Sequence, residues 1–230
     1  MNQPIYKHKY LHYAVLFLVI FSIADQVVMY RLTQIGPFSI TAGVYLMPLY
    51  YFTADLIAEV YGFQVAKQMI IAVIICSIFF ALLIAVLIHL PVPIGWEHAQ
   101  DYYNVLGHGI RSSILGNFGV LVGSYLNAYI ISKLKILTRG QIFILRSLGA
   151  SAVGELIQNI LGCLLLFVGV FPFHVVLDLM INLYVVQIVF GLVVTCIGSI
   201  FVRLLKRAEG DFNDVTVDFN PFARHKIDVT

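Results

Sequence analysis

Asp55 and Glu59 stand four residues apart near the end of a long apolar run, in the stretch PLYYFTADLIAEVYGFQVAK over 48–67. On a helix that spacing puts the two carboxylates about one turn apart on a single face. Tyr51 lies one turn earlier on the same stripe, and Tyr61-Gly62 closes it. A charged side chain in lipid costs about 2.5–3.5 kcal/mol even on the gentler insertion scales, so it faces a partner, a cavity or a task. Two stacked carboxylates can accept hydrogen bonds from a polar solute, hold an amine or another cation, or relay a proton. They point to a site inside a membrane.

The composition agrees. Of 230 residues, 60% are hydrophobic and 11% are charged, against about 25% charged in an ordinary soluble domain. Six segments, roughly 11–30, 38–61, 67–90, 112–132, 146–170 and 177–204, are apolar and long enough to cross a hydrocarbon core of about 30 Å. The expected fold is all-α: a polytopic membrane domain of six transmembrane helices over 1–207 and a polar cytoplasmic tail over 208–230. The first segment is too long for a removable signal peptide. With the N-terminus inside, Lys7, Lys9, Lys67, Lys133, Lys135, Arg139, Arg146, Arg203, Lys206, Arg207, Arg224 and Lys226 gather on the inner side, and only Arg31 and Arg111 lie outside. Twelve against two predicts that both termini are cytoplasmic. An odd number of spans would destroy that asymmetry.

The helices must position the remaining polar groups. Span 1 carries Asp25 towards its outer end, where it either faces the bundle or pairs with Arg31 at the interface. Span 2 contains Pro48, which is expected to kink it. Span 3 is nearly unbroken apolar sequence and reads as scaffold facing lipid. The outer loop holds Trp96, Tyr102 and Tyr103, an aromatic interface belt. Its His98, Asp101 and His108 invite a metal reading, but no metal is expected. Span 4 shows Gly116, Gly119 and Gly123 on one face, with Asn117, Ser124 and Asn127 nearby; that face allows either a homodimer contact or internal packing. Span 5 starts at Arg146 and carries Glu155, Gln158 and Asn159. Span 6 has Asp178 and Asn182 one turn apart, then Gln187. Cys76, Cys163 and Cys196 lack CxxC spacing and read as packing residues.

ADLIAEVYG (54–62) echoes GELIQNILG (154–162). Asp55 falls opposite Glu155, Glu59 opposite Asn159, and Gly62 opposite Gly162. Spans 2 and 5 run in opposite directions, so the match implies a 3+3 inverted repeat, a recurring plan of secondary transporters. The candidate substrate-binding residues are Asp55, Glu59, Tyr51, Glu155, Gln158, Asn159, Asn127 and Asn182. Carboxylates and amides beside aromatic rings suit a planar solute with several N–H donors, such as a guanine-like edge. The same chemistry also suits an amine, a cation or a proton relay. Glu59 has a structural alternative as well, a helix-end salt bridge to Lys67 or Arg146.

The run FTADLIAEVYGFQVAKQMI resembles the signature of the VUT family of bacterial inner-membrane queuosine precursor transporters, with Asp55, Glu59 and then Val60-Tyr61-Gly62 in its pattern. The tail FNDVTVDFNPF, ending Asp218-Phe219-Asn220-Pro221-Phe222, and the Arg146-Ser147 start of span 5 extend the resemblance over nearly the whole chain. The resemblance implies import of a queuosine precursor, 7-cyano- or 7-aminomethyl-7-deazaguanine, with Asp55 and Glu59 as substrate or coupling residues. The chain departs from the family pattern near Gln158, where many relatives carry Asp.

No GxxxxGK[ST] occurs, so no P-loop ATP hydrolysis is expected and no cofactor is implied. The expected partners are a purine-like small molecule, the lipid bilayer and a coupling proton or sodium ion, without nucleic acid. An alternative of another class is the substrate-binding subunit of an ATP-driven vitamin or nucleobase importer, which would require a partner ATPase. An enzyme is not expected. No HExxH occurs, and no Ser/His or His/His pair has productive helical spacing.

Overall fold

The computed structural model describes residues 9–94, 96–107 and 109–209, and shows an all-α bundle with one small hairpin. Helix α1 (Leu11–Val28) leads into a hairpin of β1 (Leu32–Ile35) and β2 (Phe38–Thr41). A single 3₁₀ turn (Ala42–Tyr45) follows, then α2 (Met47–Tyr61) and α3 (Phe63–Ile88). The second half holds α4 (Ala99–Leu106), the single turn α5 (Gly109–Arg111), a π-helical turn (Ser112–Gly116), α6 (Asn117–Leu137), α7 (Phe143–Phe167) and α8 (Phe173–Glu209). Residues 1–8 and the tail motif ending at Phe222 lie outside the described residues, as does His108.

Among the described residues, five helical runs are long and apolar enough to cross a membrane: α1, α3, the run that ends with α6 at Leu137, α7 and α8. Their outer faces suit lipid. Helix α3 buries seven of its 26 residues and exposes Ile75, Phe79, Leu83 and Val86, as an apolar scaffold should. Helix α8, at 37 residues, is about 55 Å long, more than the thickness of a hydrocarbon core.

Helix α2 is the inverse of α3. Twelve of its fifteen residues are buried, among them Tyr51, Asp55 and Glu59. It forms the axis around which α1, α3, α6, α7 and α8 pack. The segment expected to be helical from residue 38 becomes helical only at Met47. Pro48 begins the helix rather than kinking it: in the first turn a missing N–H leaves no bond unmade, and the fixed φ suits helix entry. Ahead of it, Gly36 at φ +55° turns the hairpin, pairing Ile35 with Phe38 and Leu32 with Thr41. Non-helical backbone at membrane depth is tolerated only when buried in protein or lining a cavity. Accordingly, Ile40 and Val44 pack against Cys163, Leu166 and Phe167 of α7.

At the other end of α2, Gly62 at φ +89° stops the helix, its N–H returning to the Ala58 carbonyl at 3.2 Å. Gly162, its counterpart in the internal echo, lies in the middle of the continuous α7. The two matched segments therefore differ: one is broken, the other is not.

The glycine face of α6 is spent on internal packing. A Cβ at Gly123 would lie 2.5 Å from the Gly154 carbonyl oxygen, and one at Gly119 would lie 3.1 Å from that of Gln158. Both neighbours are on α7, so no second copy is needed to explain this stripe. The backbone N–H groups of Lys9 and Tyr10 donate to the Glu209 carboxylate at 3.1 and 2.5 Å. The two ends of the described chain thus meet at one end of the bundle, the end rich in Lys and Arg.

Candidate functional site

The polar residues that α2 positions fall at three successive levels. Glu59 is the level nearest the basic end. Its carboxylate accepts a fork from Arg146, with Nη1 to Oε2 and Nη2 to Oε1 both at 2.9 Å. Lys206 Nζ donates to Oε1 at 2.6 Å. Side-chain exposure is 0% for Glu59 and 3% for Arg146. The remaining Arg146 donors are also used: Nε reaches the Gln141 carbonyl at 2.9 Å, and Ile131 and Gly140 carbonyls lie at 3.4 Å from Nη1 and Nη2. All five guanidinium N–H groups therefore have acceptors. The turn that supplies two of these carbonyls is held in left-handed backbone at Gly140 (φ +77°) and, less comfortably, at Ile142 (φ +56°). Lys135 Nζ adds a bond to the Glu59 backbone carbonyl at 2.7 Å. The salt bridge that the sequence allowed as Glu59's structural alternative is thus formed, with Lys206 as an added partner.

One turn along, Asp55 is fully buried and receives only neutral donors: Asn127 Nδ2 on Oδ1, and Ser147 and Ser151 hydroxyls on Oδ2, the last at 3.1 Å. Ser147 and Ser151 are one turn apart on α7, which is why both hydroxyls reach one oxygen. Neighbouring Tyr51 is also buried. Its hydroxyl and ring sit in a notch that Gly123 and Gly154 leave open, where added methyls would come within 2.6 and 3.2 Å.

The third level begins at Met47, about 12 Å along the axis from Asp55. Here a cavity of about 80 Å³ opens among α1, the 3₁₀ turn, the π-helical turn, α7 and α8. Its polar lining includes Asp25, Gln26, Asn117, Gln158, Asn159 and Gln187, and Met29, Val44, Met47 and Phe167 supply apolar walls. Several of these polar groups have unused capacity. Both polar atoms of Gln26, and Oε1 of Gln158 and of Gln187, are buried without a hydrogen-bond partner. Gln158 Nε2 has only a thioether contact, with Met47 Sδ at 3.3 Å. Asp25 forms no ion pair among the described residues and lies against Gly43, whose missing Cβ leaves room for the carboxylate. Buried polar atoms are nearly always paired with protein or water, so the amides around this void have hydrogen-bonding capacity to offer a polar guest. The π-helical turn borders this void, as such turns often do at functional sites.

The expected site residues are therefore divided. Gln158 and Asn159 line the cavity, although Asn159 is already committed to the Met180 carbonyl at 2.8 Å and to Cys163 Sγ at 3.1 Å. Asp55, Asn127 and Tyr51 form the closed middle level. Glu59 belongs to the ion-pair level. Glu155, 1% exposed, borders a separate crevice between α2, α7 and α8. Asn182 is half-buried and lines neither cavity. Sequence reasoning passed over Gln26 and gave Asp25 and Gln187 no role in binding. The available signal was one unpaired amide or acid near the same depth in spans 1, 5 and 6. In the outer loop, His98 Nδ1 and Asp101 Oδ2 lie 3.1 Å apart and are largely exposed, with no third described ligand beside them.

No curated protein and no solved structure matches the chain. A family model does, from the end of the hairpin through α2, α3, both glycine-packed helices and most of α8, and it bears out the resemblance read from Asp55, Glu59 and Val60-Tyr61-Gly62. Residues 41–204 match the family described as "Putative vitamin uptake transporter", well over half of the chain, and the protein belongs to that family.

Proposed function

We propose that the protein imports a planar, purine-like base, a 7-deazaguanine precursor of queuosine, across the bacterial inner membrane. Both termini lie in the cytoplasm, and the cavity at the hairpin end receives the base. The observation that carries this reading is the set of unpaired groups around that cavity. A guanine-like edge presents adjacent N–H donors and a carbonyl acceptor. Asp25 can accept two of those donors in bidentate fashion, and the amide of Gln26 with the unpaired Oε1 atoms of Gln158 and Gln187 can serve the remaining edge. The apolar walls suit the ring faces, and a pocket that is mostly apolar with a few convergent polar groups is the usual form of a small-molecule site. The Glu59–Arg146–Lys206 cluster then closes the cytoplasmic side. Its opening would release the base past Asp55 and Tyr51 in an alternating-access cycle.

The test is binding of the 7-cyano and 7-aminomethyl bases, with guanine for comparison, to purified protein by calorimetry and thermal shift. Asp25→Asn and Gln158→Ala are measured alongside. Saturable binding of a deazaguanine, weakened about tenfold or more in each variant, is expected from losing a buried hydrogen-bond partner. Well-folded protein that binds no base, or binding unchanged in both variants, overturns the reading.

A further inference from the structure

Glu155 is a buried carboxylate that nothing answers. At 1% exposure it forms no hydrogen bond or ion pair among the described residues. It borders a crevice of about 150 Å³ that also reaches the hydroxyl-bearing Ser151 and Thr195. Glu155, Ser151 and Thr195 are the polar members of an otherwise apolar lining, and together they are partners enough for a bound water. Among the described residues, the titratable groups near enough to act on Glu155 are Asp55 and Tyr51 on α2 and Tyr184 on α8, and none of them is a cation. Arg146 and Lys206 are engaged by Glu59. Asp55 lies close enough for the two charges to repel, yet its three donors, Asn127, Ser147 and Ser151, suit an ionised carboxylate. Two adjacent anions without a counter-cation inside a membrane are unfavourable, and an intramembrane acid of this kind marks an ion or proton pathway. Ser151 connects the pair physically, because its hydroxyl donates to Asp55 and stands one turn from Glu155 on α7.

We propose that Glu155 is a proton-binding site that couples uptake to the proton gradient, with Asp55 as the fixed anion beside it and Ser151 as the hydroxyl between them. This rests on the uptake reading above. A hydronium in the crevice gives its proton to a Glu155 carboxylate oxygen, leaving water. The proton crosses with the solute and is returned to water on the other side. A sodium ion would need several oxygen ligands, whereas Asp55 already has its oxygens occupied by donors.

Two measurements test this, and the first needs no solute. In infrared spectra of the purified protein, the carbonyl stretch of a protonated carboxyl group should titrate with pH, vanish in Glu155→Gln and persist in Asp25→Asn. Absence of the band, or its survival in Glu155→Gln, overturns the proposal. The second uses proteoliposomes and the labelled deazaguanine that binds best. Coupling of one proton per solute supports about tenfold accumulation for each pH unit imposed. Glu155→Gln should lose that accumulation while still binding the base and exchanging it down its gradient, and Glu155→Asp should recover part of it. Accumulation that follows a sodium gradient, or that survives in Glu155→Gln, overturns the coupling role. If no base binds while the Glu155 band is present, the cargo assignment fails and the proton site stands.

Discussion

The two ends of α2 use similar residue types in opposite ways. At the basic end, a carboxylate, a guanidinium and an ammonium meet with every guanidinium donor matched. At the hairpin end, a carboxylate and three glutamines surround a void with their hydrogen-bonding groups largely idle. The difference teaches that polar residues in a membrane span do not locate a binding site by their presence. What locates it is whether the protein satisfies them itself. Glu59, the more conspicuous residue in the sequence, is consumed by structure, and the plainer Gln187 keeps an unpaired Oε1 among the described residues, which the proposed function assigns to the ligand.

That contrast breaks most visibly at Arg146. Arg146→Met leaves Glu59 buried with Lys206 alone and should destabilise the fold by about 3–5 kcal/mol, the usual result of removing one partner from a buried pair. The Glu59→Met/Arg146→Met double variant should recover much of that loss, since apolar replacement of both partners is often neutral. Unfolding midpoints in detergent would read this. Equal stability of the parent and the single variant would mean that the basic end is no more committed than the cavity end.

How much of this was legible in the sequence depended on the range of the signal. Apolar runs such as 67–90 announce helices because length and hydropathy are local properties. The hairpin did not announce itself: FSITAGVYLM is as apolar as a helix, and what decides its shape is burial against Cys163, Leu166 and Phe167, more than a hundred residues away. Asp55 and Glu59 stood out from their surroundings, as did Arg146 as an alternative partner for Glu59 and Asn127 as a candidate site residue, but their other partners did not. Ser147 and Ser151 look ordinary in any helix. Lys206 counted only as an orientation charge until α8 carried it to Glu59. The cavity was the least legible feature, because single glutamines in three distant spans acquire meaning only when the fold brings them to one void.

A smaller effect belongs to the interface that joins the two levels. Gly123→Ala places a methyl 2.5 Å from the Gly154 carbonyl oxygen and close to the Tyr51 hydroxyl. Neither backbone can move without separating α6 from α7, so a loss of about 1–3 kcal/mol is expected in the same assay. Gly43→Ala makes a useful contrast. Its new methyl would meet only the end of the Asp25 side chain, which can swing aside. Stability should hold within about 0.5 kcal/mol, and base binding should weaken because the carboxylate is displaced. Equal stability losses in the two variants would show that the hairpin end is as rigid as the helix crossing.

At Gln187 the stability effect should have the opposite sign. Gln187 is 5% exposed and its Oε1 has no partner. An unsatisfied buried acceptor carries a desolvation penalty with no compensating bond, so an apolar residue of similar size relieves it. Gln187→Leu should therefore leave the free protein as stable or raise its stability by up to about 1 kcal/mol, while weakening base binding about tenfold. The two readouts must move apart for the comparison to hold. A stability loss in Gln187→Leu would show that the amide serves the fold, as Glu59 does. Unchanged binding with raised stability would show that the void is a packing defect rather than a site. Gain in one readout and loss in the other is the pattern expected where a protein keeps groups unpaired for a ligand to pair.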